Sequence, residues 1–460
     1  MLTNRSRVLA FPLLSIGLAL TVATKTTHAE DLKRRGMLGI QLAPVNDEVK
    51  ERLKLSEAKG VLITGTVPDS AAAKAGILAN DVLIKINDDA IDSVPSLIRT
   101  LRKYGAGEPL KIVVIREGKD TPAELSMLPR PQEQSTDYDI VYDFAGEKGK
   151  RVRTILTKPK KEGKNPAVLF IQGLAPNSVE LAMPQPHPYK NIINGLTKAG
   201  FVTMRVDRIG AGDSEGLDVN ETSIPDDVAA FRAGLKKLKT YEYVDPANVF
   251  VFSHSSGGAI APMLADEGVR GIATFAAFSR PWKQYVLESS IRQWKLELLK
   301  EDEIKANTEK EKAFAEELYD KKKSPREIFA AHPELKEYAE KFMQGDEVIF
   351  GLPYKYIQQL ASLDLKAAWS KVGVPVLAMW GESDYAASRE DSELIAATVN
   401  QKAPGKGKFV ALPQTDHSYA KSEDQEESFL AGPGGGGNFN PIVMESLISW
   451  FREQMGSKSS

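Results

Sequence analysis

Short apolar runs alternate with segments of helical periodicity through most of the chain after residue 138. The runs 167–171, 201–206 and 249–252 have the length of buried strands, and helical spacing of apolar residues follows them. Alternation of this kind predicts a mostly parallel sheet with helices on both of its faces. The pattern stops near Ser279 and resumes at Pro375. We therefore expect one α/β domain over residues 138–456, with a different structure inserted in its middle.

The insertion, at about residues 280–363, is predicted to be helical. Neither Gly nor Pro occurs from Lys283 to Lys323, and apolar residues such as Ile291 and Trp294 recur at helical spacing. Its charged residues are of both signs and closely mixed, which is typical of a solvated helix surface.

The first 29 residues have the pattern of a secretory signal peptide. Arg5 and Arg7 precede an apolar run over residues 8–23, and small residues at Thr27 and Ala29 mark a cleavage site. No later stretch is long and apolar enough for a membrane span. The sequence thus predicts a secreted or periplasmic protein with no stable membrane span after cleavage.

Charge and cysteine content exclude several classes of function. The 60 Lys and Arg residues nearly balance the 62 Asp and Glu residues, which argues against nucleic acid as a main partner. Because the chain has no cysteine, it has no disulfide, no thiol nucleophile and no cysteine metal site. Only five histidines are available for any role that needs an imidazole, and we expect neither a metal nor another cofactor.

Residues 31–130 predict a small α+β domain, with short β segments around one or two helices. Ser70 begins an alanine-rich helix that ends at Gly76, and the motif continues through Asp81-Val82-Leu83 and Ile86-Asn87. This segment resembles the PDZ domains of bacterial periplasmic serine proteases. The resemblance implies that the backbone N–H groups of Leu38, Gly39 and Ile40 bind the C-terminal carboxylate of a peptide or protein. The alternative is a domain that serves only for packing.

Residues 131–137 form a polar, proline-bearing linker before the α/β domain. Its composition predicts that the two domains fold independently of each other.

The segment 249–259 predicts a buried strand, a sharp turn and a helix that begins at Ser256. Such a turn needs small residues two positions before and after its apex, and Ser253 and Gly257 meet this need around Ser255. The segment resembles the nucleophile elbow of α/β-hydrolases, with Ser253 in place of the first glycine. The resemblance implies an α/β-hydrolase fold in which the insertion is a helical cap and Ser255 is the nucleophile.

A serine nucleophile needs a base and an acid that orients the base. In the family's chain order these follow as Asp384, after the run 375–381, and His417, after the run 408–412. Glu382 and Asp416 are the alternative acids, and Glu382 lies closer to the end of its strand.

The oxyanion of the reaction needs two converging N–H donors. Ser256 supplies the first, and Leu174 in Gln172-Gly173-Leu174 is the candidate for the second. His187 is either a substrate contact or a cap of the helix that follows it. His254 is expected to point away from Ser255 as a packing residue.

We therefore expect an α/β-hydrolase fold with a helical cap insertion, preceded by a small α+β PDZ domain. The expected function is a serine hydrolase that cleaves a carboxylic ester through an acyl-enzyme. A peptidase of the aminopeptidase or prolyl-oligopeptidase type is the alternative within this fold. A binding protein that has lost catalysis is the alternative from another class. The expected partners are a small-molecule ester or peptide substrate and a peptide or protein C-terminus at the PDZ domain.

Overall fold

The structure is a computed structural model that describes residues 31–174, 178–182, 187–216, 221–432 and 438–456. The predicted signal peptide, residues 1–29, lies outside the described residues. The described residues from Leu32 onward belong to one compact unit, which contains all the elements below.

The first domain is a small, largely antiparallel β structure with three helices. Its elements are β1 Gly36–Met37, β2 Ile40–Pro44, α1 Asp47–Leu53, β3 Val61–Thr66, α2 Ala71–Lys74, β4 Val82–Ile86, β5 Asp89–Ala90, α3 Val94–Leu101, β6 Pro109–Arg116, β7 Lys119–Ser126 and β8 Leu128–Pro129. The main sheet has the strand order β2-β3-β4-β6-β7, with β5 beside β4, and β1 pairs separately with β8. Apolar residues such as Val61, Val82 and Leu97 are fully buried in its core.

The turn before β2 is tied to helix α2. The Ser70 hydroxyl caps α2 by accepting from the Ala73 N–H at 3.2 Å, and it donates to the Gly39 carbonyl at 3.2 Å. Gly39 has φ +74°, and a Cβ at this position would lie 2.2 Å from the Ser70 Cβ, so the turn requires glycine. These contacts place Leu38, Gly39 and Ile40 in one defined turn at the start of β2.

The second domain begins with two antiparallel strands and continues with strand-helix alternation. Its first half contains β9 Tyr138–Ala145, β10 Val152–Pro159, β11 Asn165–Ile171, α4 Pro188–Lys198, β12 Val202–Val206, α5 Ile224–Leu238, β13 Val244–His254 and β14 Gly271–Phe275. Two 3-10 turns, Ser255–Ala259 and Ala261–Leu264, follow β13 where a helix from Ser256 is predicted. The consecutive glycines at 257 and 258 and the proline at 262 oppose a continuous α-helix here.

The insertion between β14 and the next strand of the sheet is mainly helical. It contains α6 Trp282–Leu296, α7 Glu301–Ala315, α8 Pro325–Ala331, α9 Lys336–Ala339, three short strands β15 Met343–Gln344, β16 Val348–Ile349 and β17 Leu352–Pro353, and α10 Tyr354–Ala361. A π-helical turn, Glu316–Asp320, extends α7, and a 3-10 turn, Pro333–Leu335, precedes α9.

The remaining elements complete the sheet and cover it. They are α11 Leu365–Trp369, β18 Val376–Gly381, α12 Arg389–Lys402, β19 Gly407–Leu412, α13 Gln425–Ala431 and α14 Ile442–Gly456. The eight strands follow the order β19-β18-β14-β13-β11-β12-β10-β9. The six from β19 to β12 are parallel, while β10 and β9 run antiparallel to their neighbours. This is the α/β-hydrolase arrangement, in which the carboxyl ends of the parallel strands share one edge of the sheet.

A buried charge network ties the turn after β12 to the insertion. Arg208 is almost fully buried, and its Nε lies 2.9 Å from the Asp227 carboxylate on α5. The Tyr356 hydroxyl on α10 donates to the same carboxylate at 2.8 Å. Because Arg208 lies in the turn after β12, this network joins the sheet to the last helix of the insertion.

The N-terminal segment before β1 is docked on the α/β domain. Leu32 is buried, and the Arg34 guanidinium donates to Asp213 at 2.7 Å and to Glu180 at 2.5 Å. The Arg35 backbone N–H donates to the other Asp213 oxygen at 2.8 Å.

The linker is also docked on the α/β domain. The Glu133 carboxylate accepts from both terminal nitrogens of Arg205 at 2.8 and 2.9 Å, and from the Leu181 N–H at 2.7 Å. The linker's polar composition predicts independent domains, but composition does not show which buried cation a polar side chain pairs with. In the structure, the linker contributes to the α/β domain.

Within the part of the chain that the structure describes, no helix combines the length and apolar character needed to cross a bilayer.

Candidate active site

Ser255 occupies a sharp turn at the carboxyl end of β13. Its φ is +51°, a left-handed conformation that is unfavourable for a residue with a Cβ and that marks a strained strand-to-helix turn. A Cβ at Gly257 would lie 2.7 Å from the Ile171 carbonyl oxygen and 2.8 Å from that of Gln172, so this position must be glycine. The Ser253 side chain is buried and its hydroxyl donates to Thr274 at 3.0 Å. The turn thus accepts serine where the family pattern has its first glycine.

Three predicted residues from distant parts of the chain meet at this turn. The Ser255 Oγ lies 3.2 Å from the His417 Nε2, and the His417 Nδ1 lies 2.8 Å from the Asp384 Oδ2. Asp384 is fully buried, and its other oxygen accepts from the N–H groups of Ala386 at 2.7 Å and Ala387 at 2.8 Å. These bonds hold the carboxylate in the orientation that faces the imidazole.

The two alternative acids are placed differently. Glu382 is exposed, and its backbone continues the strand contact by donating to the Leu412 carbonyl. The Asp416 carboxylate folds back into its own turn, where one oxygen accepts from the N–H groups of Ser418 at 2.8 Å and Ala420 at 2.7 Å. The structure therefore brings Asp384, rather than either alternative, to the His417 ring.

Two opposing effects act on His417. Burial lowers the pKa of this imidazole, and the Asp384 carboxylate raises it by charge and by hydrogen bonding, with a smaller contribution from Asp416. The net result is a pKa above the ordinary histidine value. The ring is thus a stronger base than a free imidazole.

The candidate oxyanion donors lie beside Ser255. Ser256 and Leu174 line the same cavity as the Ser255 side chain. Gly173 approaches the elbow so closely that a Cβ there would lie 3.2 Å from the Ser255 Cβ. The Gly173 N–H itself donates to the Tyr189 hydroxyl at 3.1 Å, which leaves the N–H groups of Ser256 and Leu174 as the candidates.

His254 and Tyr189 belong to this site, whereas the sequence predicts only a packing role for His254 and no role for Tyr189. The His254 Nδ1 lies 2.8 Å from the Tyr189 hydroxyl, and its Nε2 lies 2.9 Å from the His417 carbonyl oxygen. The signal available in the sequence was a histidine directly before the nucleophile in a chain with few histidines.

The other histidines have separate positions. His187 caps α4, where its Nδ1 accepts from the Tyr189 N–H at 3.2 Å, and it also lines the cavity. The position of His187 therefore agrees with both interpretations, a helix cap and a substrate contact. His332 lies in the insertion beside Glu334 and Glu317 and is not among the residues that line the cavity.

A cavity of about 1070 Å³ is lined by Ser255 and by many residues of the insertion. Many of its lining residues from the insertion and the preceding loop are aromatic: Phe278, Trp282, Tyr285, Trp294, Tyr338, Phe342 and Phe350. Among the described residues, three with carboxyl groups also line it: Glu297, Glu311 and Asp416. The Glu311 side chain accepts from the Tyr338 hydroxyl, and burial raises its pKa. Within the described ranges, no group of three or more His, Asp or Glu residues is placed to hold a metal ion.

Comparisons with known proteins agree with this architecture. Residues 187–419, just over half of the chain, match the family described as serine aminopeptidase, S33, and residues 36–127 match the PDZ domain family. Esterase EstD of Thermotoga maritima is 25% identical over 300 residues, which cover 64% of this chain and 65% of that protein. A probable periplasmic serine endoprotease, DegP-like, of Bartonella henselae is 31% identical over 128 residues, which cover 26% of this chain and 25% of that protein.

The chain thus spans less than two thirds of the length of either relative. Among solved structures, Est1E from Butyrivibrio proteoclasticus aligns with a TM-score of 0.42 and 16% identity, covering 69% of this chain and 99% of that one. The two family matches confirm the resemblances found in the sequence. The chain belongs to the S33 serine aminopeptidase family of α/β-hydrolases and carries an N-terminal PDZ domain.

Proposed function

We propose that this protein is a serine hydrolase that cleaves an acyl bond, with a carboxylic ester as the substrate of first choice. The main observation behind this proposal is that Ser255, His417 and Asp384 are joined by hydrogen bonds, and that Ser255 has φ +51°. A serine needs a base within hydrogen-bond reach and an acid that orients that base.

The reaction follows from these contacts. The His417 Nε2 takes the Ser255 proton as Oγ bonds to the acyl carbon, while the Nδ1–H donates to Asp384. The N–H groups of Ser256 and Leu174 stabilise the negative oxygen of the tetrahedral intermediate. The imidazolium then returns its proton to the leaving alcohol, and the acyl group remains on Ser255. Water, deprotonated by the same nitrogen, releases the acid and restores the serine.

The cavity supports an apolar or aromatic substrate group, because aromatic side chains line the space above Ser255. The relative named as an esterase is consistent with an ester substrate. A peptidase is the second candidate, because the carboxyl groups of Glu297 and of the buried Glu311 line the same cavity as Ser255 and can bind a substrate amine. The family name, serine aminopeptidase, is consistent with this second reading.

The first domain would bring a peptide or protein C-terminus to the enzyme. The turn at Leu38, Gly39 and Ile40 lies at the start of the edge strand β2, where a peptide can add as a further strand.

We also propose that the protein is secreted or periplasmic. The predicted signal peptide and the DegP-like relatives that are named periplasmic support this location.

The test of the enzyme assignment is covalent labelling with a fluorophosphonate. The wild-type protein should be labelled, and Ser255→Ala should not be labelled while its melting temperature stays near that of the wild type. Ser253→Ala is the matched control and should still be labelled, because its hydroxyl is buried against Thr274. A labelled Ser255→Ala would contradict the assignment of the nucleophile.

The same preparations discriminate the substrates. Turnover of short acyl esters without turnover of amino-acid amides supports the esterase, and the opposite result supports the peptidase. Absence of both labelling and turnover in the folded wild-type protein would support a binding protein instead.

A further inference from the structure

A chain of three hydrogen bonds joins the oxyanion segment to the main chain of His417. It runs from the Gly173 N–H to the Tyr189 hydroxyl at 3.1 Å, from Tyr189 to the His254 Nδ1 at 2.8 Å, and from the His254 Nε2 to the His417 carbonyl at 2.9 Å. None of these contacts is part of the proposed proton transfer.

The two backbone ends determine where every proton lies. A carbonyl oxygen only accepts, so the His254 Nε2 must carry a hydrogen and donate to His417. A neutral imidazole with a proton on Nε2 has Nδ1 as an acceptor, so the Tyr189 hydroxyl donates to it. The Tyr189 oxygen is then left to accept from the Gly173 N–H, which only donates. All three bonds point in one direction, an arrangement in which each bond strengthens the next.

The His254 ring is held in this state by its surroundings. Burial, and then the neighbouring His417, hold the pKa of His254 well below its ordinary value. The ring lies 4.9 Å from the rings of His417 and Tyr419 and 6.0 Å from that of Phe275. His254 thus remains neutral when the adjacent His417 becomes charged during the reaction. A protonated His254 would lose its acceptor for Tyr189.

The two ends of the hydrogen-bonded chain belong to parts of the site that must keep a fixed distance from each other. Gly173 directly precedes Leu174, the candidate oxyanion donor, and His417 carries the base that lies 3.2 Å from the Ser255 oxygen. His254 directly precedes Ser255. The hydrogen-bonded chain therefore connects the oxyanion segment, the nucleophile turn and the loop that carries the base.

We propose that Tyr189 and His254 are positioning residues that hold the oxyanion segment and the His417 loop in register with Ser255. The inference rests on the proposed hydrolase function. A small displacement of the oxyanion donors or of the base reduces the stabilisation of the transition state more than it reduces the binding of the substrate. These residues therefore act mainly on kcat.

The test compares Tyr189→Phe with Tyr419→Phe in the full chain. Each change removes one phenol oxygen from a ring that faces His254, but among the described residues the Tyr419 hydroxyl has no hydrogen-bond partner. Tyr189→Phe should lower kcat for a short acyl ester by about 10- to 100-fold with KM within about threefold, since a buried N–H and a buried ring nitrogen lose their partner. Tyr419→Phe should keep the wild-type kcat. Rates are normalised to the folded fraction from circular dichroism.

A second variant and a double-mutant cycle complete the test. His254→Gln keeps a donor near the Nε2 position but lacks an acceptor at the Nδ1 position. Both single changes break the same hydrogen bond. The kcat of the double variant should therefore lie at most about threefold below the kcat of the slower single variant. The inference would be overturned if the loss of kcat in the double variant equalled the product of the two single losses. It would also be overturned if Tyr189→Phe and Tyr419→Phe had the same kcat. If Tyr189→Phe does not fold, His254→Gln decides alone, and a kcat within twofold of the wild type overturns it.

Failure of the two proposals can be distinguished. A folded wild-type protein that neither labels nor turns over substrate refutes the hydrolase function and this inference with it. An active wild-type protein with an unaffected Tyr189→Phe refutes only the positioning role.

Discussion

The contact between the linker and the α/β domain makes a quantitative prediction about stability. Glu133 pairs with Arg205, whose side chain is only 1% exposed, through two hydrogen bonds. Glu133→Gln keeps the volume and one acceptor oxygen but removes the charge, which leaves a buried guanidinium without its carboxylate. Removing one partner of a buried ion pair costs about 3 kcal/mol at the lower end of the usual range. With a urea m value of about 3 kcal/mol/M, the unfolding midpoint should fall by about 1 M.

The matched control is the same substitution in an exposed pair. Glu393→Gln removes the carboxylate that faces Arg389 at 2.8 Å, where the two side chains are 53% and 44% exposed. Exposed pairs one helical turn apart contribute about 0.5 kcal/mol, so this midpoint should move by less than about 0.2 M.

Tryptophan fluorescence is the suitable assay, because all five tryptophans lie in the α/β domain and none lies in the PDZ domain. The predicted shift would therefore show that the linker stabilises the α/β domain itself. Equal midpoints for Glu133→Gln and Glu393→Gln would refute the reasoning, because Glu133 would then behave as part of a solvated linker.

Two further predictions concern the acid and the base. Asp384→Asn should lower kcat on the order of 10⁴-fold, because the imidazole loses the acceptor that sets its tautomer, whereas the exposed Glu382→Gln should change kcat less than about threefold. The reverse ranking would transfer the role to Glu382. The pH profile of kcat/KM tests His417, which must be neutral to accept the serine proton. Since its pKa is raised above 6.5, activity should fall as the pH drops through a value above 6.5, and Asp384→Asn should move this limb to lower pH. A wild-type limb below pH 6.5 would contradict the described balance of burial and charge.

Features that depend on local sequence were accessible without the structure. The turn around Ser255 follows from the small residues at 253 and 257, because the crowding that excludes larger side chains involves the nearby backbone. The parallel sheet follows from the alternation of strands and helices, and the chain order of Ser255, Asp384 and His417 follows from the family resemblance. The turn depends on residues that are close in sequence and the sheet on a repeated pattern, whereas the order of the three site residues comes from the resemblance.

Features that depend on the direction of a side chain across the fold needed the tertiary structure. Glu382 and Asp384 are two residues apart with the same chemical group, and only the turn after β18 turns one of them toward His417 and leaves the other in solvent. Glu133 belongs to a segment with linker composition, yet it meets Arg205 at a distance of 72 residues along the chain. The sequence alone does not show whether His254 only packs against its neighbours or also donates a hydrogen bond to His417. Hydrogen bonds and ion pairs act over a few ångströms, and folding decides which distant groups come within that range.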